Sequence, residues 1–309
     1  MSNNTSKLKG FSRKLNSQKI LLLMTLPFVV HIIIFRYIPV GGWIMGFEDY
    51  KPAIPFFKQK FVGLKHFKDL LGDANFYYVI RNTLAMATIK LVLGTFFAIL
   101  TAVLINETRH HGFKRSVQTI SYLPHFVSWV VAANIVLEVL SPTGIINQLL
   151  VGMGAIKKPI LWMGKPHFFW WIIGWSHVWK SVGFGAIIYL AAMTAIDPQL
   201  YEAADIDGCS RLRKITAITL PSIKPTIIIL LIMDIGHLLD AGFEQQYLLQ
   251  NSLVMNYSEV FTIYVLRYAF EFYRFSFAAA AGIFKSLVSI TLLLAANLIA
   301  KKLDQESLM

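Results

Sequence analysis

Six long apolar stretches, separated by polar segments, dominate the pattern of this chain. They cover roughly residues 20–41, 79–105, 117–141, 169–196, 222–241 and 277–300. A helix needs about 20 predominantly apolar residues to cross the hydrocarbon core of a bilayer. The pattern therefore predicts an all-α integral membrane protein with six transmembrane helices. The membrane domain occupies residues 20–300, between an N-terminal tail at 1–19 and a C-terminal tail at 301–309. Within the third stretch, Pro124 removes one helix hydrogen bond and predicts a kink or break.

Positive charge is concentrated in alternate polar segments. Lysine and arginine are abundant in both tails, in the loop with Arg109, Lys114 and Arg115, and in the segment near Arg213. Short segments rich in these residues remain on the cytoplasmic side of a membrane. Both termini are therefore predicted to be cytoplasmic, and the longer loops at about 42–78, 142–168 and 242–276 are predicted to lie outside.

The first outer loop contains an amphipathic segment at residues 61–73. Its apolar residues Leu64, Phe67, Leu70 and Leu71 recur at the spacing of one helical face. This spacing predicts a short helix that lies on the outer face of the membrane.

Composition agrees with a membrane location and argues against several kinds of function, including nucleic-acid binding and ATP hydrolysis by this chain. Of the 309 residues, 56% are hydrophobic and only 15% are charged, whereas soluble domains carry about 25% charged residues. The net charge of +12 comes from residues at the ends of apolar runs, which argues against a nucleic-acid partner. The sequence has no G-x-x-x-x-G-K-[S/T] motif for ATP phosphates, and its single cysteine, Cys209, cannot form a cysteine metal site.

The polar segment between the fourth and fifth apolar stretches has a pattern of its own. It reads EAADIDGCSRLRKITAITLP from Glu202 to Pro221. Ala203 and Ala204 favour helix, Gly208 interrupts it, and Pro221 suits the first turn of the next helix. The pattern predicts two short helical pieces hinged at Gly208, held on the cytoplasmic side and suited to docking against a partner.

The fixed positions of this segment resemble the cytoplasmic loop of permease subunits of ABC importers. The resemblance is carried by Glu-Ala-Ala, three residues, Gly, nine residues and Ile-x-Leu-Pro. The matching residues are Glu202, Ala203, Ala204, Gly208, Ile218, Leu220 and Pro221, with Asp207 beside the glycine. The resemblance implies an ABC importer type I permease fold, in which a coupling loop at 198–221 docks into a separate ATPase and transmits its motion to the spans.

Further stretches resemble the branch of this family that imports oligosaccharides, the LplB-like polysaccharide permeases. They are FVGLKHFKDLL at 61–71, RNT at 81–83, YLPHFVSWVV at 122–131, SPTGIINQLL at 141–150 and FEQQYLLQNSLV at 243–254. The resemblance implies a second, homologous permease subunit, two copies of a cytoplasmic ATPase that bind ATP and Mg²⁺, and an extracytoplasmic solute-binding lipoprotein. It also implies that this chain contacts membrane lipid and the oligosaccharide but binds no cofactor, in the plasma membrane of a Gram-positive bacterium.

Polar and aromatic side chains at membrane depth are the candidates for a substrate path, because ionisable groups there are costly and mark a path or a pair. The candidates are Asn134, Glu138, Trp175, His177, Trp179, Lys180, Asp234, His237, Asp240, Glu244 and Gln245. The alternative is structural pairing, for example of Glu138 with Lys180. Aromatic faces stack on sugar rings, while amides, carboxylates and histidines bind hydroxyls. The mixture therefore favours an oligosaccharide over an ion.

Three classes of function are compatible with these features. The leading interpretation is a transport subunit driven by ATP that another chain hydrolyses. An ion-coupled secondary transporter predicts inverted repeats and broken helices at the membrane midplane, neither of which the sequence displays clearly. A membrane-embedded enzyme would need a carboxylate pair, for which Asp205 and Asp207 are candidates, but both lie inside the coupling pattern.

The outer loops are rich in lysine, which bears on the charge of the substrate. The lysines are Lys51, Lys58, Lys60, Lys65, Lys68, Lys157, Lys158 and Lys165. A basic vestibule concentrates anions, which favours an acidic, uronate-containing oligosaccharide over a neutral one, with Lys180 as the residue that neutralises a carboxylate. The same lysines are equally compatible with an acidic binding protein or with lipid headgroups.

Overall fold

The structure is built almost entirely from helices. The computed structural model describes residues 18–240 and 242–302. Its α-helices are α1 Lys19–Ile32, α2 Ile38–Val40, α3 Lys65–Gly72, α4 Ala74–Glu107, α5 His111–Phe126, α6 Trp129–Val139, α7 Ile145–Gly152, α8 Pro166–Thr194, α9 Pro198–Ile206, α10 Arg211–Lys214, α11 Leu220–Gly236, α12 Phe243–Leu249, α13 Met255–Ser258, α14 Phe261–Phe270 and α15 Phe275–Lys302. Ile33–Tyr37 and Ile215–Thr219 are π-helical, and Gly41–Phe47, Phe56–Lys58, Trp162–Gly164, Leu238–Asp240 and Ser252–Val254 are 3₁₀-helical. One antiparallel hairpin pairs β1, Glu48–Asp49, with β2, Lys60–Phe61.

Four helical segments are long and apolar enough to cross a membrane. They are Lys19–Phe47, Ala74–Glu107, Arg211–Gly236 and Phe275–Lys302. Two bent pairs are further candidates: α5 and α6 meet at 101°, and α8 and α9 meet at 72°. With each bent pair taken as one span, the described residues form six spans, which confirms the six-span all-α fold. The predicted tails at 1–19 and 301–309 lie almost entirely outside the described residues.

The third predicted span, residues 117–141, is a broken helix. α5 ends at Phe126, two residues after Pro124. α6 then starts after Ser128, whose hydroxyl accepts a hydrogen bond from the Val131 N–H at 3.4 Å. The break expected at Pro124 is confirmed. Its angle is large because Ser128 acts as a new N-cap and starts a second helix in a different direction.

The fifth span begins at Arg211, so the prediction that Pro221 starts a new helix is wrong. Ser210 caps the N-terminus of this span with a side-chain hydrogen bond. The helix then widens into a π-helical turn, in which the Leu220 N–H donates to the Ile215 carbonyl, five residues back. Pro221 follows directly inside the same continuous helix. Only one of the two expected short pieces, α9, is therefore a separate helix.

The amphipathic helix of the first outer loop is present as α3, and part of its apolar face packs on the protein itself. Leu70 is fully buried and His66 nearly so, and His66 Nε2 lies 3.1 Å from the Glu48 carbonyl oxygen. The ring of Phe67 lies 5.2 Å from that of Phe47. The buried part of this apolar face packs against the end of the first span and against α15, whereas Leu64 and Leu71 remain exposed.

The long helices α4 and α8 form the centre of the molecule. They pack along one another, and α8 also contacts α5 and α11. A Cβ at Gly183 would lie 2.0 Å from the Ser121 carbonyl oxygen, so only glycine lets α5 approach α8 this closely. Phe169 and Ile173 of α8 are fully buried in a cluster with Met86 of α4. α1, in contrast, has no buried residue, so its whole surface is available to lipid.

Candidate functional site

The first candidate for function is the short helix α9 and the turn that follows it. Asp197 caps the helix by accepting a hydrogen bond from the Gln199 N–H at 2.9 Å, and Pro198 occupies the first position. These residues define where the helix starts after the sharp bend from α8.

The end of α9 is equally well defined. The Gly208 N–H donates to the Asp205 carbonyl at 3.1 Å, and the Cys209 N–H donates to the Ala204 carbonyl at 2.9 Å. This pair of hydrogen bonds needs a left-handed residue, and Gly208 has a φ of +69°. The interruption predicted at Gly208 is therefore a hydrogen-bonded turn.

Two side-chain contacts tie α9 to the start of the fifth span. The hydroxyls of Tyr201 and Thr219 lie 2.9 Å apart. The Lys214 ammonium donates to the Asp205 carboxylate at 2.5 Å. The two contacts therefore join α9 to the same neighbouring helix at two points.

Three exposed apolar side chains lie on α9 and at the start of the fifth span. Ile206 is 88% exposed, Leu212 is 72% exposed and Leu200 is 50% exposed. Exposed apolar side chains of this size on a polar surface are candidates for contact with a partner. Sequence reasoning missed all three. The available signal was an isoleucine and a leucine isolated among charged residues.

The eight predicted coupling residues fall into two groups. Glu202, Ala203, Asp207 and Gly208 are exposed on α9 and its turn, and Ala204 is buried. Ile218, Leu220 and Pro221 lie along the fifth-span helix, where Leu220 packs on the buried cluster that includes Ile223. The first group therefore lies on α9 and its turn, and the second lies within the fifth-span helix.

The second candidate for function is a cavity of about 530 Å³ among the spans. Residues of α4, α6, α8, α11 and α12 line it, together with residues from the segment that leads into α12. Five of the eleven predicted path residues are in this lining: His177, Asp234, His237, Asp240 and Gln245. The cavity thus brings imidazole, carboxylate and amide groups together with the rings of Trp129 and Tyr189, a combination that suits a polyhydroxylated ligand.

Gln245 is held in one orientation at the wall of this cavity. Its Nε2 donates to the Ile173 carbonyl at 2.8 Å and to the Ser176 hydroxyl at 2.9 Å. The side chain is buried, and its Oε1 accepts no hydrogen bond from the described residues. Because the nitrogen is bonded to α8, the carbonyl oxygen is left as an acceptor.

Sequence reasoning missed two lysines inside the spans. Lys90 of α4 is buried and lines the cavity, and a Cβ at Gly242 would lie 3.1 Å from its Nζ. Lys285 of α15 forms an ion pair with Asp240. Both lysines stand within apolar stretches of the sequence, at 79–105 and 277–300, where a charged residue is itself the signal.

The other six predicted path residues do not line the cavity. Five of them, Asn134, Glu138, Trp175, Trp179 and Glu244, are exposed in this chain. The two tryptophans are four residues apart and share a face of α8, which differs from the face that carries His177. In this chain their rings are therefore placed for contact with lipid or another subunit rather than with a ligand in the cavity.

Lys180, the sixth, is buried and braces the break in the third span. Its Nζ donates to the His125 carbonyl at 2.8 Å and lies 5.3 Å from the centre of the Trp129 ring. A broken helix leaves carbonyl groups without partners in the helix, which is costly at membrane depth. The alternative of an ion pair with Glu138 is wrong, because Glu138 takes part in none of the ion pairs between described residues.

Within residues 18–240 and 242–302, no three His, Cys, Asp or Glu side chains converge as a metal site. Of the two carboxylates considered for an enzyme, Asp205 is bound to Lys214 and Asp207 is exposed. The geometry suits ligand binding and force transmission.

Comparison with known proteins shows which family and which proteins this chain is similar to. Residues 94–306 match the family described as binding-protein-dependent transport system inner membrane component. Protein LplB of Bacillus subtilis (strain 168) is 39% identical over 303 residues, which are 97% of this chain and 95% of the relative. The polygalacturonan/rhamnogalacturonan transport system permease protein YteP of the same organism is 40% identical over 296 residues, 96% of this chain and 92% of the relative.

Solved structures of one bacterial transporter share the fold. A crystal structure of an ABC transporter involved in the import of the acidic polysaccharide alginate superposes with a TM-score of 0.87 at 36% identity, over 94% of this chain and 98% of that chain. A second structure, of an alginate ABC transporter in complex with an alginate pentasaccharide-bound periplasmic protein, gives a TM-score of 0.86 at 36% identity, over 96% and 99% of the two chains.

Proposed function

This chain belongs to the family of binding-protein-dependent transport system inner membrane components, and from that premise we propose that it forms half of the path of an ATP-driven oligosaccharide importer. It is a permease of the sugar ABC importer type, as are relatives that match nearly its whole length. The observation that carries the proposal is α9, an exposed helix with an apolar tip that is tied twice to a membrane span.

The tip of α9 docks into a separate ATPase subunit. Ile206 and Leu212 enter an apolar cleft of that subunit, and closure of two ATPase copies around ATP and Mg²⁺ pushes α9. The contacts at Tyr201 and Lys214 carry this motion into the fifth span, so that the spans alternate between outward and inward access. In this arrangement α9 and both termini are cytoplasmic, as the lysine and arginine distribution also indicates.

The cavity is this chain's share of the substrate path. A second, homologous permease completes the path, and an extracytoplasmic lipoprotein delivers the sugar. The alginate transporter, which shares this fold, has been seen with a sugar-bound periplasmic protein. The chain lies in a bacterial plasma membrane, and the Bacillus subtilis relatives favour a Gram-positive source.

The substrate class that fits best is an acidic oligosaccharide. A neighbour with the same fold belongs to a transporter of the acidic polysaccharide alginate. The lysine-rich outer loops concentrate anions near the entrance, and Lys90 lines the cavity wall.

Reconstitution of the complete transporter tests this function. The chain is co-expressed with the second permease and the ATPase encoded nearest to it, purified through a tag on this chain and placed in liposomes with the binding protein outside. We expect the ATPase to co-purify, and we expect ATP-dependent uptake of an acidic oligosaccharide that requires the binding protein. Uptake driven by an ion gradient without the ATPase would instead establish a secondary transporter.

A further inference from the structure

We infer that the hairpin at residues 48–61 inserts into the outer lipid headgroup layer, where the Phe57 ring reaches the acyl boundary and Lys58 and Lys60 bind anionic lipid phosphates. The hairpin follows the first span directly, since β1 begins at Glu48. The inference rests on the proposed function for the side of the membrane, but the contact with lipid rests on the geometry of the hairpin.

The hairpin tip, residues 50–59, is held closed by one side chain. The Gln59 amide accepts a hydrogen bond from the Lys51 N–H at 2.9 Å and donates to the Lys51 and Ile54 carbonyls at 3.0 and 2.7 Å. The Ile54 N–H also donates to the Lys51 carbonyl at 2.9 Å. The backbone of the tip cannot rearrange to bury its apolar side chains without losing these hydrogen bonds.

The hairpin tip presents apolar side chains to its surroundings. Phe57 is 97% exposed, Ile54 is 39% exposed and Phe56 is 37% exposed. The Phe57 ring meets the Phe56 ring edge-on at 5.5 Å, but the described residues cover almost none of its surface. Single exposed apolar side chains are common on protein surfaces. Three of them within four residues of a hydrogen-bonded tip indicate contact with a partner.

Contacts with α15 set the depth of the hairpin tip. The Tyr50 N–H donates to the Ser276 hydroxyl at 2.8 Å, and the Tyr50 ring meets the Phe275 ring at 6.2 Å, at the start of α15. This helix has 28 residues and is therefore about 42 Å long at 1.5 Å per residue. A bilayer with its headgroups is about 40–45 Å thick. With Lys301 and Lys302 at one membrane surface, the tip lies at headgroup level on the other.

The charges beside the exposed ring match an anionic lipid surface. Lys58 and Lys60 are exposed, and neither takes part in an ion pair between described residues. The nearby Asp49 lies 3.7 Å from the Lys51 ammonium, which offsets its negative charge. An aromatic ring with lysines beside it is typical of segments that bind the membrane interface, where lysines attract anionic headgroups. A binding protein would approach from beyond the headgroups, so it suits this depth less well.

A fluorescent reporter at Ala53 tests the contact in the complete transporter. The transporter is placed in phosphatidylcholine vesicles with and without phosphatidylglycerol, and a Cys209→Ser background carries Ala53→Cys labelled with an environment-sensitive fluorophore. Lipids with a spin label on the headgroup or on the acyl chain quench the reporter according to its depth. The same label at Phe28→Cys in α1 is the lipid reference, and at Lys157→Cys it is the aqueous reference. Recovery of the assembled complex identifies any variant that fails to fold.

The inserted hairpin predicts a distinct result for each variant. In the parent, spin labels on the headgroup and high on the acyl chain should quench the Ala53 reporter, and aqueous iodide should quench it less than the Lys157 reporter. Phe57→Ser should lower quenching by spin-labelled lipid about twofold or more, because interfacial binding scales with buried apolar area, whereas Phe57→Leu should retain it. Lys58→Gln combined with Lys60→Gln should remove the part of the quenching that depends on phosphatidylglycerol.

Two outcomes would overturn the inference. Lipid quenching that is equal in the parent and in Phe57→Ser would refute insertion of this ring. Iodide quenching as strong as at Lys157, relieved only when the binding protein is added, would show that the tip docks that protein instead.

ATP-dependent uptake by the same preparations separates this inference from the proposed function. Normal uptake with a reporter that lipid does not quench would refute only the lipid contact. Lipid quenching without ATP-driven uptake would refute only the proposed function.

Discussion

The exposed tip of α9 allows a quantitative test of coupling through the substitution Ile206→Ala. Ile206 is 88% exposed, so nearly all of its side chain is available for burial in a partner. The change removes three carbon atoms, and each buried methylene contributes about 0.8 kcal/mol. Association with the ATPase should therefore weaken by about 2 kcal/mol, or about thirtyfold. Folding should be unaffected, because the side chain is almost entirely in solvent before docking.

Binding of purified ATPase to the permease complex in nanodiscs measures this loss, and uptake in liposomes measures its consequence. Leu253→Ala is a matched control, because Leu253 is 67% exposed but lies in the third outer loop. The control should bind the ATPase normally. Normal binding by Ile206→Ala, with an unchanged melting temperature, would refute the assignment of this tip as the docking surface.

Three further predictions concern the turn, the topology and an acidic residue outside the membrane. Gly208→Val should abolish uptake without loss of membrane insertion, because a left-handed backbone costs a residue with a Cβ about 1–2 kcal/mol and a β-branched one more; wild-type uptake would contradict this. In a cysteine-free background, a cysteine at Arg213 should label only from the cytoplasm and one at Lys157 only from outside, and the reverse would overturn the topology. Burial raises the pKa of Asp73, but hydrogen bonds from two tyrosine hydroxyls and a backbone amide outweigh it, so the pKa lies below its usual value. The stabilisation is present at neutral pH and is lost as pH falls through that lowered pKa. Tyr268→Phe should therefore lower the melting temperature more at pH 7 than near pH 3, and an equal loss at both would show that the charged hydrogen bond is unimportant.

The faces of α8 show what the sequence predicts well and where residue type alone misleads. His177 is a candidate because of its chemistry, and it does line the cavity. Trp175 and Trp179 are candidates because aromatic rings stack on sugars, yet both are exposed outside the cavity. Helical periodicity distinguishes them, since residues four apart share a face and residues two apart do not. Average hydropathy predicts the spans correctly. It does not reveal Lys90, because the apolar residues around this lysine dominate the average.

The fifth span shows a different limit. Proline is common in the first turn of a helix, so Pro221 was placed at the start. In the structure a π-helical turn precedes it, and Ser210 starts the helix eleven residues earlier. Nothing in the local sequence distinguishes a proline that starts a helix from one that a wider turn accommodates. The choice depends on packing, here of Leu220 and Ile223 against α4 and α8.

The brace between Lys180 and the His125 carbonyl constrains how this protein can diverge. The broken span and the buried lysine depend on each other. The break leaves the His125 carbonyl without a partner in its helix, and Lys180 donates a hydrogen bond to that carbonyl. A chain that replaced Lys180 with leucine would favour a straight helix at residues 117–141, without Pro124 and Ser128 at the break. In a library of variants, single substitutions at Pro124, Ser128 or Lys180 should therefore reduce transport. Simultaneous substitution of all three should preserve more activity than the single changes predict.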